Sequence, residues 1–368
     1  MARLAIVLVA LMAVSPAAAA EPDLADTGYL QTLKRIDARV WVLAEPKFQV
    51  QPIGNVTIVE QSDGVVLVDA GGSPGAGRRI VEMVKSLSSK PVKAVIISQW
   101  HGDKPQGLTE ILKAWPDART ISTAATQAHL SDPKTMNSPA APDPAKNASY
   151  LSQQAAAARY MQSMIARART PQEQHGFALA ARSFGQYAAD LDGALTVAPK
   201  EGFTDRLDIA DAQAPVQVLF FGRGNTDGDA VVWLPKQKIL VAGELVILPF
   251  PYGYESYPAD WIATLGKLRS YDFRWLVPGH GAPQRDRRQI DRIAAALKDV
   301  RGQVAPLVAQ GLSLDAVRAR VTFDGQAKIF VGHDPWLRRW FMAFWAQPIV
   351  DSAYKEARGE PIVQGLGG

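Results

Sequence analysis

The chain has 368 residues, with 40 Lys and Arg against 36 Asp and Glu, and it has no cysteine. That length can bury a large core, in one big α/β domain or two smaller ones. Without cysteine, disulfides and thiol chemistry are excluded, and any metal must rest on nitrogen and oxygen ligands. The formal charge of +4 is weak and its basic residues are scattered, so no nucleic-acid footprint is present.

The chain opens with Arg3, the apolar run Leu4–Val14, a break at Ser15-Pro16, and Ala18-Ala19-Ala20. This order predicts a signal peptide over residues 1–20, cleaved after Ala20, with export to a periplasm or beyond. The run is shorter than the ~20 apolar residues a membrane-spanning helix needs. Nothing downstream approaches a second apolar span, so no stable membrane span is expected after cleavage.

Strands are expected at Val40–Leu43, Val56–Glu60 and Val65–Asp69, followed by glycine-rich punctuation at Ala70-Gly71-Gly72 and Pro74-Gly75. A helix over Gly77–Ser86 leads to the strand Val92–Ile97; helix Gly107–Trp115 and strand Thr120–Ser122 follow. Ser131–Asn147 reads as loop, and Ser149–Thr170 and Pro171–Leu191 as an antiparallel helical pair within an insertion at about 131–195. That pair reads equally as an active-site cover or as packing helices. Strands return at Val216–Gly222, Ala230–Leu234, Lys238–Gly243 and Phe273–Val277, with a helix at Ala259–Ser270. A helix from Arg287 is expected to stop before Pro306. Trp-rich helical pieces end the chain, in an extension at about 310–368 whose Trp336, Trp340, Phe341, Phe344 and Trp345 read as core. Two β-rich halves flanked by helices suit a four-layer αββα sandwich over residues 21–368.

The segment Ser98-Gln99-Trp100-His101-Gly102-Asp103-Lys104 directly follows the run Val92–Ile97. It resembles the metal-binding loop of the metallo-β-lactamase superfamily, usually Thr-His-x-His-x-Asp-His at the end of a buried strand. Gln99 and Lys104 stand in place of the first and third histidines. Asp69 resembles the family's strand-end acid, which orients that loop. Gly222-Arg223-Gly224-Asn225-Thr226-Asp227-Gly228-Asp229 resembles Gly-x-x-His-Thr-x-Gly-Asp, with Asn225 at the histidine position. Gly243-Glu244 resembles a Gly-Asp turn that supplies a metal-bridging carboxylate, and Pro278-Gly279-His280-Gly281 matches the final histidine loop. The resemblance runs from about Val40 to Arg287 apart from the insertion.

The family site holds two zinc ions. An amide oxygen is a feeble zinc ligand beside imidazole, so Gln99 and Asn225 weaken the first subsite. A protonated ammonium has no lone pair to offer a metal, so Lys104 reads as a protein-borne substitute for the second cation, offsetting Asp103, Glu244 or both. The resemblance implies a hydrolase of small esters, thioesters, lactones or amides. In it, one zinc ion is held by His101, Asp103, Glu244 and His280, with Gln99 or Asn225 as weak helpers. Asp103 and Lys104 join the catalytic set, and Lys104 or Arg223 stabilises an oxyanion. The alternative is a metal-free binding or accessory protein. His129 and His175 read as surface or core residues, and His333 as a turn or helix cap. The segment Phe250-Pro251-Tyr252-Gly253-Tyr254 reads as a pocket wall or as packing beneath a loop.

Overall fold

The computed structural model describes residues 31–45, 47–50, 53–132, 144–191, 193–194 and 196–364, with no account of the side chains of residues 144–151. The expected signal peptide, and residues 133–143 of the expected loop, lie outside the described residues.

Seven strands form the first sheet in chain order: β1 Thr32–Asp37, β2 Val40–Ala44, β3 Val56–Glu60, β4 Val65–Val68, β5 Val92–Ile96, β6 Arg119–Thr123 and β7 Glu201–Phe203. The second sheet runs β12 Trp275–His280, β11 Ile239–Ile247, β10 Ala230–Leu234, β9 Val216–Phe220 and β8 Arg206–Ile209. Period-two alternation decides which side chains meet. In β2, Val40, Val42 and Ala44 point between the sheets, while Trp41 and Leu43 point outward beneath helices. In β4, Val66 and Val68 face inward and Val65 and Leu67 outward. These strands are apolar on both sides because both sides are covered. Each full burial of such a side chain contributes about 1.5–3 kcal/mol.

Helices α1 Pro74–Leu87 and α2 Leu108–Ala114 cover the first sheet. Helices α6 Pro258–Arg269 and α7 Arg288–Ala309, with the C-terminal helices, cover the second. The result is the expected four-layer αββα sandwich. Strands β4, β5, β6 and β7 are parallel neighbours, as are β11 and β12. Their carboxyl ends therefore open on one edge, where ligands of parallel sheets bind.

Between β6 and β7 the chain adds α3 Ala124–Ser131, α4 Pro144–Met164 and α5 Pro171–Asp190. Ser131 and residues 144–147, expected as loop, are helical. The N-cap Thr170 accepts from the Glu173 amide, and Pro171 sits in the first turn, so α5 starts where its sequence indicates. The C-terminal region forms α8 Leu314–Arg318, α9 Asp324–Phe330, α10 Pro335–Phe341 and α11 Gln347–Ala357, with a π-turn over Met342–Ala346. Helix α5 docks on it, with Phe177 edge-on to Trp336 at 4.9 Å. At its other end Asp190 pairs with Arg79 of α1 at 2.8 Å.

Other boundaries also differ from expectation. Helix α1 begins at Pro74, because Ser73 caps the amide of Ala76 and proline suits a first turn. Helix α7 runs through Pro306 to Ala309, because a proline near the last turn removes only one backbone hydrogen bond. Strand β11 does not stop at Gly243 but continues to Ile247, with Gly243 at φ 54° and the register to β12 shifting around it. No described helix is long and apolar enough to cross a membrane.

Candidate functional site

The carboxyl ends of β4 and β5 are fastened together by Asp69. Its Oδ1 accepts from the Ser98 amide and its Oδ2 from the Ser98 hydroxyl, each at 2.8 Å, and its own backbone holds φ 67°. Burial pushes its carboxyl up to about 6. This clamp sets the direction of the loop Gln99–Lys104.

That loop delivers Lys104 into the centre of the site. The side chain is fully buried. Its Nζ lies 2.6 Å from Glu244 Oε1, 2.7 Å from Asp103 Oδ2 and 3.4 Å from His280 Nε2. His280 Nε2 in turn lies 3.2 Å from Asp103 Oδ2 and 3.1 Å from Glu244 Oε1. Each of those oxygens thus faces two cationic nitrogens at ion-pair distance. Two glycines make the room. A Cβ on Gly54 would lie 2.5 Å from Lys104 Nζ, and one on Gly279 would lie 2.3 Å from Glu244 Oε1. The Gly279 carbonyl also accepts from Lys104 at 3.3 Å.

The electrostatics follow from this geometry. Burial alone would strip Lys104 of its proton, but Asp103 and Glu244 outweigh it and hold the ammonium above its ordinary range. Burial opposes ionisation of Asp103, yet Lys104 and His280 hold its carboxyl well below the usual range; Glu244 is lowered by His280 and Lys104 in the same way. Burial also opposes charging of His280, but Glu244 raises it to about 9. His101 goes the other way: burial lowers it and keeps the imidazole neutral.

Asp103, Glu244 and His280 bring ligand atoms within 4.8 Å of one another, the donor types a divalent ion requires. Lys104 Nζ lies among those atoms. An ion at the ~2.0–2.2 Å bond lengths of zinc would have to displace that ammonium. The residues as they stand therefore do not fit a zinc ion held by Asp103, Glu244 and His280.

The neighbouring positions are less settled. Gln99 Oε1 accepts from the His101 amide, while its Nε2 is buried without a partner. Asn225 donates to the Tyr252 carbonyl at 2.8 Å and leaves its Oδ1 buried and unpaired. His101 is half-buried, its ring 4.4 Å from that of Trp100. One imidazole and two amides make a poor zinc donor set.

Arg223 lies outside the cluster: its guanidinium pairs with Asp260 at 2.6 Å and covers the Tyr257 ring at 4.3 Å. The sequence reading of Arg223 as an oxyanion partner has no contact in the structure to carry it. His129 pairs with Asp227 at 3.0 Å, and Asp334, not His333, caps α10.

Beside the cluster lies a cavity of about 480 Å³. His280, Tyr252, Leu248 and Pro249 line it from the sandwich, His175 and Leu179 from α5, and Trp336 and Leu337 from α10. Tyr252 stands 5.3 Å from the His280 ring, and Phe250 of the same segment is core. Sequence reasoning missed Glu45, which also lines the cavity and is buried just beyond β2. The signal was present: an acid closes the apolar strand Val40–Ala44 as Asp69 closes Val65–Val68.

A two-sheet sandwich with convergent carboxylate and imidazole at its edge defines an αββα hydrolase-type scaffold. The model of the metallo-beta-lactamase superfamily matches residues 51–280, and the chain belongs to that family. A linear primary-alkylsulfatase from Pseudomonas sp. (strain ATCC 19151) is 24% identical over 306 residues, 77% of this chain and 52% of that protein. A type 2 metallo-beta-lactamase from Bacteroides fragilis is 32% identical over 89 residues, 23% of this chain and 36% of that protein. Among solved structures, the stereoselective inverting sec-alkylsulfatase Pisa1 from Pseudomonas sp. aligns with TM-score 0.59 at 16% identity, covering 90% of this chain and 51% of that one. The chain thus spans about half the length of the alkylsulfatases it matches.

Proposed function

We propose that this chain is a hydrolase that cleaves an ester, thioester, lactone or amide bond of a small substrate held in the cavity beside His280. The observation that carries this reading is the Lys104 ammonium, buried among Asp103, Glu244 and His280 where a second cation belongs. It keeps the acids ionised and the edge of the sandwich ordered without an ion at that point. His280 lines the cavity, and its Nδ1 has no partner among the described residues. The protonated imidazole would donate to a substrate carbonyl and to the oxyanion that develops on it. His101, neutral beside a charged His280, is the base of the pair, since environments that push two titrating groups apart divide acid and base roles. The hydrolase relatives support a hydrolytic role. Export from the cytoplasm belongs to the same proposal, and N-terminal sequencing of chain recovered outside the cytoplasm tests it.

A second reading, a binding protein that kept the sandwich, is favoured by the internal charge balance of the cluster. A panel of one ester, thioester, lactone, amide and alkyl sulfate, assayed with and without EDTA and with added zinc, separates the two. The hydrolase reading expects EDTA-insensitive turnover of one of the first four, reduced at least about 100-fold by His280→Ala, the scale of losing one oxyanion donor. No turnover of any compound selects the binding protein, and turnover abolished by EDTA restores the metal-dependent reading with one zinc ion.

A further inference from the structure

Glu45 is a buried acid outside the ion pairs of the Lys104 cluster. It is 3% exposed, and its Oε1 has no hydrogen-bond partner among the described residues. It lines the same cavity as His280, whose Nδ1 is also buried and unpartnered. An unsatisfied buried polar atom costs free energy, and the fold gains no visible contact in return. Both residues line one chamber, and a ligand seated there is the group that could satisfy them.

The chamber also restricts what that ligand is. Its walls are Phe48, Leu179, Leu248, Pro249, Trp336 and Leu337, so the body of the ligand is apolar. The volume of about 480 Å³ lies within the range of small-molecule sites. The floor has no positive charge to spare: Lys104 and His280, two cations at most, already face Asp103 and Glu244. At the rim stand the exposed cation Lys47, His175 and one acid, Asp334. A buried anionic head would go uncompensated beside Glu45, whereas an uncharged one would not. Burial also holds the Glu45 carboxyl well above the usual range, so it can donate as well as accept.

Building on the acyl-hydrolase reading, we propose that Glu45 is the specificity-determining residue of this cavity. It anchors the uncharged oxygen head of an ester or lactone with an apolar chain, and disfavours a sulfate ester of the same length.

The test is equilibrium binding of methyl decanoate and decyl sulfate to the full chain, followed by tryptophan fluorescence and calorimetry, alongside Tm. Wild type is expected to bind the ester at least about tenfold more tightly than the sulfate. Glu45→Gln, which keeps a donor and an acceptor, stays within about threefold for the ester. Glu45→Leu weakens the ester about tenfold yet raises Tm, because it removes an unpaired buried group. Equal binding of the two probes, unchanged ester affinity in Glu45→Leu, or a lower Tm for that variant overturns the proposal. Discriminating binding without turnover would sink the hydrolase reading alone. Turnover with an unaltered KM in Glu45→Leu would sink this one alone.

Discussion

The two halves of the site edge lost the same kind of residue and fared differently. Where Lys104 stands at a histidine position, a fixed cation faces both neighbouring carboxylates, and the atoms gather within 2.6–3.4 Å of it. Where Gln99 and Asn225 stand at histidine positions, uncharged amides leave a buried nitrogen and a buried oxygen without partners. A lost cation can be replaced by a protein charge of the same sign. A lost ligand replaced by an amide merely leaves polar atoms to be satisfied in some other way.

The sharpest way to break this contrast is Lys104→Met. It would leave Asp103 and Glu244 with His280 as their one shared cation, and breaking a buried ion pair typically costs about 3–5 kcal/mol. Urea titration of wild type and variant measures the loss, and a change under ~1 kcal/mol would remove the claim that Lys104 organises this half. Next comes pH. The folded pKa of His280, about 9, exceeds its unfolded value of ~6.5. Its stabilising contribution is therefore complete below ~6.5 and fades as pH rises through about 9, by up to about 3 kcal/mol. Asp103 and Glu244, both lowered, contribute with the opposite sign, and theirs is lost only in acid. His280→Gln should flatten the alkaline slope of stability; an unchanged slope would mean His280 is not charged in the fold. Lys104→His should open the triad to metal and carry bound zinc from under about a tenth of an equivalent toward one, as counted by elemental analysis. The smallest effect is expected from Arg223→Ala. The exposed Arg223–Asp260 pair contributes about 0–1 kcal/mol, and turnover should not change.

Much of this was readable from residues alone. The alternating apolar strands, the Asp69 and His101 loops and the Gly279-His280 turn sit at one sheet edge because motif order fixes which strand ends meet. The pairing of Lys104 with Asp103 and Glu244 was readable because an ammonium has charge but no lone pair. Other parts were not legible. The short strands β1, β7 and β8 are mostly polar and are held by their neighbours in the sheet rather than by their own pattern. The reach of Arg223 depended on Asp260, 37 positions away. The cavity escaped because it is assembled from β2, α5 and α10, distant segments with no shared motif.

Helix α5 bridges α1 and the C-terminal helices while carrying none of the ion cluster. The helical part of the cavity wall and the charged cluster are thus encoded in separable stretches of the gene. Insertions, deletions or point changes in the helical roof can retune which molecules enter while the geometry of the sandwich edge stays untouched. Such a division lets a lineage explore new substrates without first passing through an unfolded intermediate.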